Sequence, residues 1–252
     1  MEPAVLLIAG LVLLAGSILQ SAAGFGIGLF AIPLIIMLGV DPPVAMVIVA
    51  TSAAAQNIVG AVTFRSHIEW RQVAWMVAIA GATIPLGVFV LGQIVELGEG
   101  RIRQIFGLLV LGALVTQWIA RIEPRDHVPW PWGVFALAVS GFTTGLAGMG
   151  GPPLVLWIIA HAWSTERSRG TMWALFTGLF PVQFIVLYAN FGPAVPVALG
   201  WGAALVPFTL LGIPPGLWIG RRMSTKVLHR VCYAMLLIVA MIAILQPWLR
   251  GA

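Results

Sequence analysis

The sequence predicts an all-α integral membrane protein built from two inverted structural repeats. Three observations lead to this prediction: an apolar composition, long apolar runs separated by short charged loops, and one residue pattern that occurs twice. Of the 252 residues, 60% are hydrophobic and 8% are charged, and the mean hydropathy is +1.03. A soluble domain carries about a quarter of its residues as charged side chains. The apolar runs are therefore expected to lie in a bilayer.

Eight segments are long enough to cross the hydrocarbon core, which takes about 20 apolar residues in a helix. They lie near 4–22, 44–63, 73–95, 102–120, 130–147, 171–189, 197–220 and 227–246. Shorter apolar stretches, 27–39 and 152–162, follow the first and fifth segments after glycine-rich interruptions. Each such pair predicts a broken element that is either re-entrant or crosses twice. The first segment lacks a basic n-region and a cleavage site, so it is expected to remain in the mature protein.

The interruptions at 24–28 and 148–153 define an internal repeat. Ala23-Gly24-Phe25-Gly26 aligns with Ala147-Gly148-Met149-Gly150 at an offset of 124 residues. Further matches pair Thr51 with Thr177, Asn57 with Gln183, and Ile84-Pro85-Leu86-Gly87 with Ile213-Pro214-Pro215-Gly216. The first predicted repeat covers 1–125 and the second covers 126–252. Each consists of a broken first helix followed by three spanning helices.

The basic residues distinguish two topologies, because short cytoplasmic loops are enriched in Lys and Arg. If each broken element crosses once, the 13 basic residues divide eight to five between the two faces. If each broken element returns to its own side, the clusters at 65–71, 121–125, 167–169 and 221–230 share one face, and the division is ten to three. The second topology is favoured, and it inverts one half relative to the other, as in many secondary transporters. It predicts a multi-pass protein of a bacterial inner membrane with both termini outside the cytoplasm.

The two breaks are the first candidate for a binding site. A helix broken inside the membrane leaves backbone groups without partners, at a cost of several kcal/mol each in lipid. The helix that follows a break presents free N–H groups and about half a positive charge, so two such ends meeting at the centre would favour an anion. The alternative is that these glycines only permit close helix packing. The candidate residues are Gly24, Phe25, Gly26, Ile27, Gly148, Met149, Gly150 and Gly151.

Neutral polar side chains within the spans are the second candidate, with interhelical hydrogen bonding as the alternative. The site candidates among them are Gln20, Ser21, Thr51, Gln56, Asn57, Thr144, Thr177 and Gln183. Arg169 directly precedes the sixth segment, where it could attract an anion or only set the topology. All eight acidic residues are predicted at segment ends or in loops, which disfavours an intramembrane carboxylate site for protons or sodium. The membrane potential, worth about 2.3 kcal/mol per charge per 100 mV, could drive anion export.

The glycine motifs resemble a known family signature. Gly24-Phe25-Gly26-Ile27-Gly28 with Ala31-Ile32-Pro33-Leu34, repeated as Gly148-Met149-Gly150-Gly151-Pro152, is similar to the paired signature of the sulfite exporter TauE/SafE family. The resemblance covers the full length and implies transport, usually outward, of sulfite or organosulfonates such as sulfoacetate. It also implies a substrate role for Gly24, Gly26, Gly148, Gly150 and Gly151. The second copy departs from the pattern at Pro152-Pro153.

Other function classes are less well supported by the residues. A membrane hydrolase would need a nucleophile and base at depth, and no Ser–His pair or carboxylate dyad is predicted there. A metal-ion permease would need acidic, histidine or cysteine ligands within the spans, where Cys232 is the single cysteine. This permease and a non-transporting membrane subunit stay as alternatives. We expect no enzyme activity, no cofactor, no metal site and no nucleic-acid partner; the expected partners are a small anionic substrate and the lipid bilayer, with a homodimer left open.

Overall fold

Apolar α-helices form nearly all of the protein. Its structure, a computed structural model, describes residues 1–120, 122, 124–125, 128–223 and 225–249. A short 3-10 turn, Arg65–His67, lies between the third and fourth helices. The α-helices are α1 (Pro3–Ala23), α2 (Ile27–Met37), α3 (Pro42–Thr63), α4 (Trp70–Val95), α5 (Glu99–Ile119), α6 (Trp130–Ala147), α7 (Gly151–Ile159), α8 (Thr165–Phe191), α9 (Ala194–Ala204), α10 (Val206–Arg222) and α11 (Thr225–Leu249).

The helices confirm the predicted all-α membrane fold. Among the described residues, α1, α3, α4, α5 and α8 are each long and apolar enough to cross a bilayer, and α9 with α10 gives a sixth if that bent pair is one span. The predicted span over 197–220 is divided between two helices, because the chain bends by 47° between α9 and α10. Pro207 is the second residue of α10, and a proline lacks the N–H needed to continue the α9 hydrogen-bond ladder. Proline is tolerated in a first turn, so a new helix starts there.

Both predicted breaks are present. α1 ends at Gly24 (φ 94°), α2 follows Gly26 (φ 119°), and α6 ends at Gly148 (φ 69°). Glycine adopts these positive φ values without the clash that a Cβ would cause. The amide of Gly24 donates to the Gln20 carbonyl at 2.7 Å, and the amide of Gly148 donates to the Thr144 carbonyl at 2.8 Å. The two aligned positions therefore end their helices in the same way.

Helices of the two halves exchange partners across the molecule. α10 packs along α1 and α4 packs along α6, while α5 packs against α11. Glycines permit both of the first two contacts: a Cβ on Gly216 would lie 2.6 Å from the Ile18 carbonyl oxygen, and one on Gly87 would lie 2.6 Å from the Leu146 backbone nitrogen. Gly87 and Gly216 are aligned positions of the sequence repeat. The reciprocal packing is what a two-fold relation between the halves predicts.

The charged loops of the favoured topology lie together at one end of the bundle. The Arg167 guanidinium contacts the Glu69 carboxylate at 2.9 Å. The Arg125 amide donates to the Ala160 carbonyl at 2.9 Å, so the loop between the halves lies beside the end of α7. We call this the arginine end. At the opposite end, the loop 38–41 lies beside the start of α5. Four charged residues that were predicted in loops or at segment ends lie outside the described residues: Arg121, Glu123, Asp126 and Arg250.

The directions of the helices follow from these contacts. The contacts between α1 and α10 advance in the same direction along both helices, from Gly10 with Phe208 to Ser21 with Gly216, so the two helices are parallel. The loop after α10 reaches the arginine end, where Arg221 lies near Arg169. α1 therefore runs toward the arginine end and α2 returns from the break to the opposite end. The pair α6 and α7 leaves and rejoins the arginine end. The predicted inversion of the second half would produce these directions; the inversion itself stays a prediction.

Candidate functional site

The two breaks meet at one cavity of about 80 Å³. A Cβ on Gly28 would lie 2.5 Å from the Gly148 carbonyl oxygen, so the backbones of the two breaks are in direct contact. The lining includes these residues of the predicted site: Gln20, Phe25, Gly26, Ile27, Asn57, Thr144, Gly148, Met149, Gly150, Gly151 and Gln183. Segments separated by more than 120 residues in the sequence are thus joined in one small space.

Two helix N-termini border this cavity. α2 begins at Ile27 and runs to the opposite end, whereas α7 begins at Gly151 and runs to the arginine end. No side chain in the described part of the protein caps either N-terminus. The N–H groups of an uncapped first turn have no partner within the helix, and the partial positive charge there favours an anion. The cavity is therefore bordered by two helix starts of opposite direction.

Pro152 and Pro153 make the second helix start different from the first. Both lie in the first turn of α7, where proline is tolerated because its missing N–H would have no helical acceptor. The departure from the family pattern therefore starts the helix normally. It also removes two N–H donors, so α7 can offer the amides of Gly150 and Gly151 but none from the two prolines. The donor sets of the two breaks are unequal.

Buried amides contribute neutral hydrogen-bonding groups to the same cavity. The Gln20 amide nitrogen Nε2 donates to Asn57 Oδ1 at 2.9 Å and links α1 to α3. The Gln183 Nε2 donates to the Thr144 carbonyl at 3.3 Å and links α8 to α6. All four residues are at most 6% exposed. Among the described residues, the Asn57 Nδ2 has no hydrogen-bond acceptor, so it can donate to a bound solute.

Six residues of the predicted site lie outside the cavity lining. Gln56 Nε2 donates to Ser21 Oγ at 2.7 Å and holds α3 to α1. Thr177 Oγ1 donates to the Trp173 carbonyl at 2.8 Å within α8. The remaining three are Thr51, whose buried hydroxyl has no partner among the described residues, Gly24 at the end of α1, and Arg169.

Arg169 lies beside the first break. Its guanidinium donates to the Ala22 carbonyl at 3.0 Å, where a cation complements the partial negative charge of the end of α1. A Cβ on Gly24 would lie 3.8 Å from the Arg169 Cγ. Arg169 therefore stands between the arginine end and the break, close to the cavity but outside its lining.

Sequence reasoning missed the apolar part of the lining, although helical spacing carried a usable signal. Phe176, Leu179 and Phe180 line the cavity together with Gln183, at the three- and four-residue spacing of one helix face. The same spacing relates Asn57 to two further lining residues, Ala53 and Ala50. Gly28, Leu29, Ile32, Met46 and Val49 complete the lining that was not predicted.

The polar groups that line the cavity are backbone groups and neutral side chains. Among the described residues that line it, there is no charged side chain. His161 lies farther away, after α7, and its Nδ1 is 2.9 Å from the Trp157 carbonyl oxygen. Partial burial lowers the pKa of His161, and the positive charge of Arg167 lowers that pKa further. Proton binding to His161 is therefore disfavoured, and the lining itself presents dipoles to an anion in the cavity.

The comparisons with known proteins give one match. A family model described as "Sulfite exporter TauE/SafE" matches residues 8–243. No curated protein and no solved structure matches the chain. The matched range contains both breaks and every residue of the cavity lining.

Proposed function

The chain belongs to the sulfite exporter TauE/SafE family, and from this premise we propose that it exports sulfite or a short organosulfonate across a bacterial inner membrane. Membership of this family and the apolar helices make the chain a multi-pass membrane transporter. The substrate, the outward direction, the bacterial inner membrane and the place of binding are what we propose beyond family membership. The proposed place of binding is the cavity between the two glycine breaks.

The observation that carries the proposal is the meeting of both breaks at one cavity. Two uncapped helix starts supply backbone N–H groups, and Asn57 supplies a side-chain N–H. A desolvated anion needs several such donors, because leaving its charge unpaired in a low-dielectric space is costly. The cavity of about 80 Å³ is far smaller than the roughly 300–1,000 Å³ typical of drug-sized ligands. Its size favours a solute of few atoms.

The proposed driving force is the membrane potential. Among the described residues, the lining has no carboxylate that could bind a coupling proton or sodium ion. With the cytoplasm negative, each negative charge that leaves gains about 2.3 kcal/mol per 100 mV. A uniporter of an anion therefore exports it without a coupling ion. This mechanism predicts a flux that changes with voltage.

The glycine that best tests binding is Gly151. Its φ is negative, and an added Cβ would meet only the Phe25 side chain at 3.6 Å, an ordinary contact. Gly151→Ala should therefore pack against Phe25 without a clash, while its methyl group occupies part of the lining; thermal unfolding measures the cost of a Cβ directly before Pro152. By contrast, a Cβ on Gly150 would overlap Thr144 and would lie 2.7 Å from the Ser140 carbonyl oxygen, so substitution there would disturb folding and binding together.

The experiment measures flux of sulfite, sulfoacetate and methanesulfonate from liposomes that contain the purified protein, at imposed potentials. We expect voltage-dependent flux of at least one anion, reduced about tenfold or more by Gly151→Ala, since about 1.4 kcal/mol of lost binding is a factor of ten. Gly92→Ala on α4 is the control, because its added Cβ meets open space.

Three results would contradict parts of the proposal. Unchanged flux in Gly151→Ala would place the substrate elsewhere. Uptake of a divalent cation without anion flux would favour the metal-ion permease. Absence of every flux from folded protein would favour the non-transporting subunit.

A further inference from the structure

A second and larger space opens on the outer surface of the bundle, between α5, α6 and α7. This crevice has a volume of about 330 Å³, against about 80 Å³ for the central cavity. Leu108 and Phe135 form part of its lining and are 56% and 58% exposed, so the crevice faces the surroundings of the helices. Those surroundings are lipid, because the chain is a multi-pass membrane protein.

The crevice exists because corresponding helices of the two halves pack differently. In the second half, α11 packs against both α1 and α2. The corresponding helix of the first half, α5, makes only a small contact with α7, and among the described residues it makes no extended contact with α6. A gap therefore stands open in one half at the place where helix packing closes the other.

The lining of the crevice suits neither water nor an ion. Its two hydroxyl groups donate within their own helices, Thr116 to the Gly112 carbonyl at 2.7 Å and Thr143 to the Val139 carbonyl at 2.9 Å. A buried water needs two to four polar partners, and a lining this apolar offers few. An empty apolar gap would lose the dispersion contacts of every atom that lines it. The apolar material in contact with this surface is the hydrocarbon of the bilayer.

We propose that one acyl chain of a membrane phospholipid occupies the crevice as a bound partner of the fold. It would contact Pro152, Pro153 and Leu156, which present one side of α7 to the crevice. Among the described residues, α7 packs against α6 and makes smaller contacts with α5 and α8, whereas α2 packs against α1, α3 and α11. The acyl chain would thus replace a helix that α7 lacks.

The crevice and the central cavity share a thin wall. Leu29 and Met149 line both spaces. An acyl chain in the crevice therefore supports one side of the broken helix whose other side borders the central cavity. Lipid binding in the crevice does not depend on which solute the protein carries.

Native mass spectrometry of the full chain, washed extensively in detergent, tests the proposal. Gly112→Leu fills the crevice, because an added Cβ at Gly112 meets open space, and Ala113→Leu is a second filling variant. Gly92→Leu is the matched control, a glycine of a spanning helix whose added Cβ also meets open space. Circular dichroism and thermal unfolding establish which variants fold.

We expect the wild type and Gly92→Leu to retain a single phospholipid through washing. In the folded filling variant, the fraction of protein that carries this phospholipid should be severalfold lower. Adding phosphatidylethanolamine to lipid-stripped protein should raise the melting temperature of the wild type but not of that variant. Three results would overturn the proposal: a wild type that retains no phospholipid, a filling variant that retains as much as the wild type, or a wild-type dimer that Gly112→Leu dissociates. The last would assign the crevice to a second copy of the chain.

Discussion

Asn57→Asp places a negative charge in the central cavity with almost no change of shape. The Asn57 Oδ1 accepts a hydrogen bond from Gln20 at 2.9 Å, and an aspartate oxygen at the same place can accept it equally well. The substitution replaces the Nδ2 donor, which has no protein acceptor among the described residues. Helix packing between α1 and α3 should therefore persist while the charge of the cavity changes.

The size of the cavity sets the expected effect of Asn57→Asp. A space of about 80 Å³ would hold an anion about 5 Å from the new carboxylate, where two like charges repel by about 3 kcal/mol at an effective dielectric constant of about 20. That repulsion weakens anion binding about a hundredfold. The protein should be compared at pH 8, because burial raises the pKa of a carboxyl group and its charge must be present.

The assay is anion flux from liposomes at a fixed potential, with thermal unfolding measured on the same samples. Asn190→Asp is the control, since Asn190 is an exposed asparagine near the C-terminus of α8 and lies outside the cavity. We expect flux to fall about a hundredfold in Asn57→Asp and to stay at the wild-type rate in Asn190→Asp. A folded Asn57→Asp protein with undiminished flux would refute anion binding between the breaks.

Two further predictions concern stability. Gly26→Ala should destabilise the protein by about 1–3 kcal/mol, because its φ of 119° disfavours any Cβ and the added atom would lie 2.8 Å from the Leu19 Cδ2. Thermal unfolding of Gly39→Ala, whose φ is 87° and whose Cβ would meet open space, measures the backbone effect without the clash. Equal melting temperatures for Gly26→Ala and the wild type would contradict the reasoning. Burial is the chief cause that holds the pKa of His161 below its ordinary value of 6.5. As the pH falls below 6.5, the unfolded chain therefore binds more protons at this residue than the folded chain does. The stability that neutral His161 contributes is present above pH 6.5 and is lost below it. His161→Gln should therefore reduce the drop in melting temperature between pH 7.5 and pH 5.5, and an unchanged drop would exclude this contribution.

Hydropathy and glycine spacing predicted the helices and breaks because both features are local. An apolar run of span length has few alternatives to a helix in lipid, and a paired glycine motif marks positions where φ can be positive. The predicted segment 130–147 coincides with α6, and the breaks lie at Gly24, Gly26 and Gly148 as expected. Two predicted half-helices are shorter than their apolar stretches and end at Met37 and Ile159.

Neither the bend between α9 and α10 nor the identity of the lining residues could be deduced from local pattern. The segment 197–220 is apolar throughout, so its hydropathy does not change where α9 ends at Ala204. Gln56 and Asn57 are neighbours in the sequence and about 100° apart around a helix. Only the rotation of α3 against α1 decides that Asn57 lines the cavity while Gln56 holds Ser21. That rotation is set by contacts between distant parts of the chain.

The sequence offered two explanations for the glycines, close packing or a binding site, and the surroundings of the individual glycines differ. Gly87 and Gly216 lie where a neighbouring backbone leaves no space for a Cβ, so packing alone accounts for them. Gly26 and Gly148 have positive φ values, so the turn of the chain accounts for them. Gly151 has a negative φ, room for a methyl group and a place in the cavity lining. Packing against other helices does not explain a glycine there. Its place before Pro152, where a Cβ on a helical residue is disfavoured, is one explanation, and a solute that approaches the start of α7 is the other. Substitution of Gly151 is therefore the change that distinguishes a site built from backbone amides from a break that is only a feature of the fold.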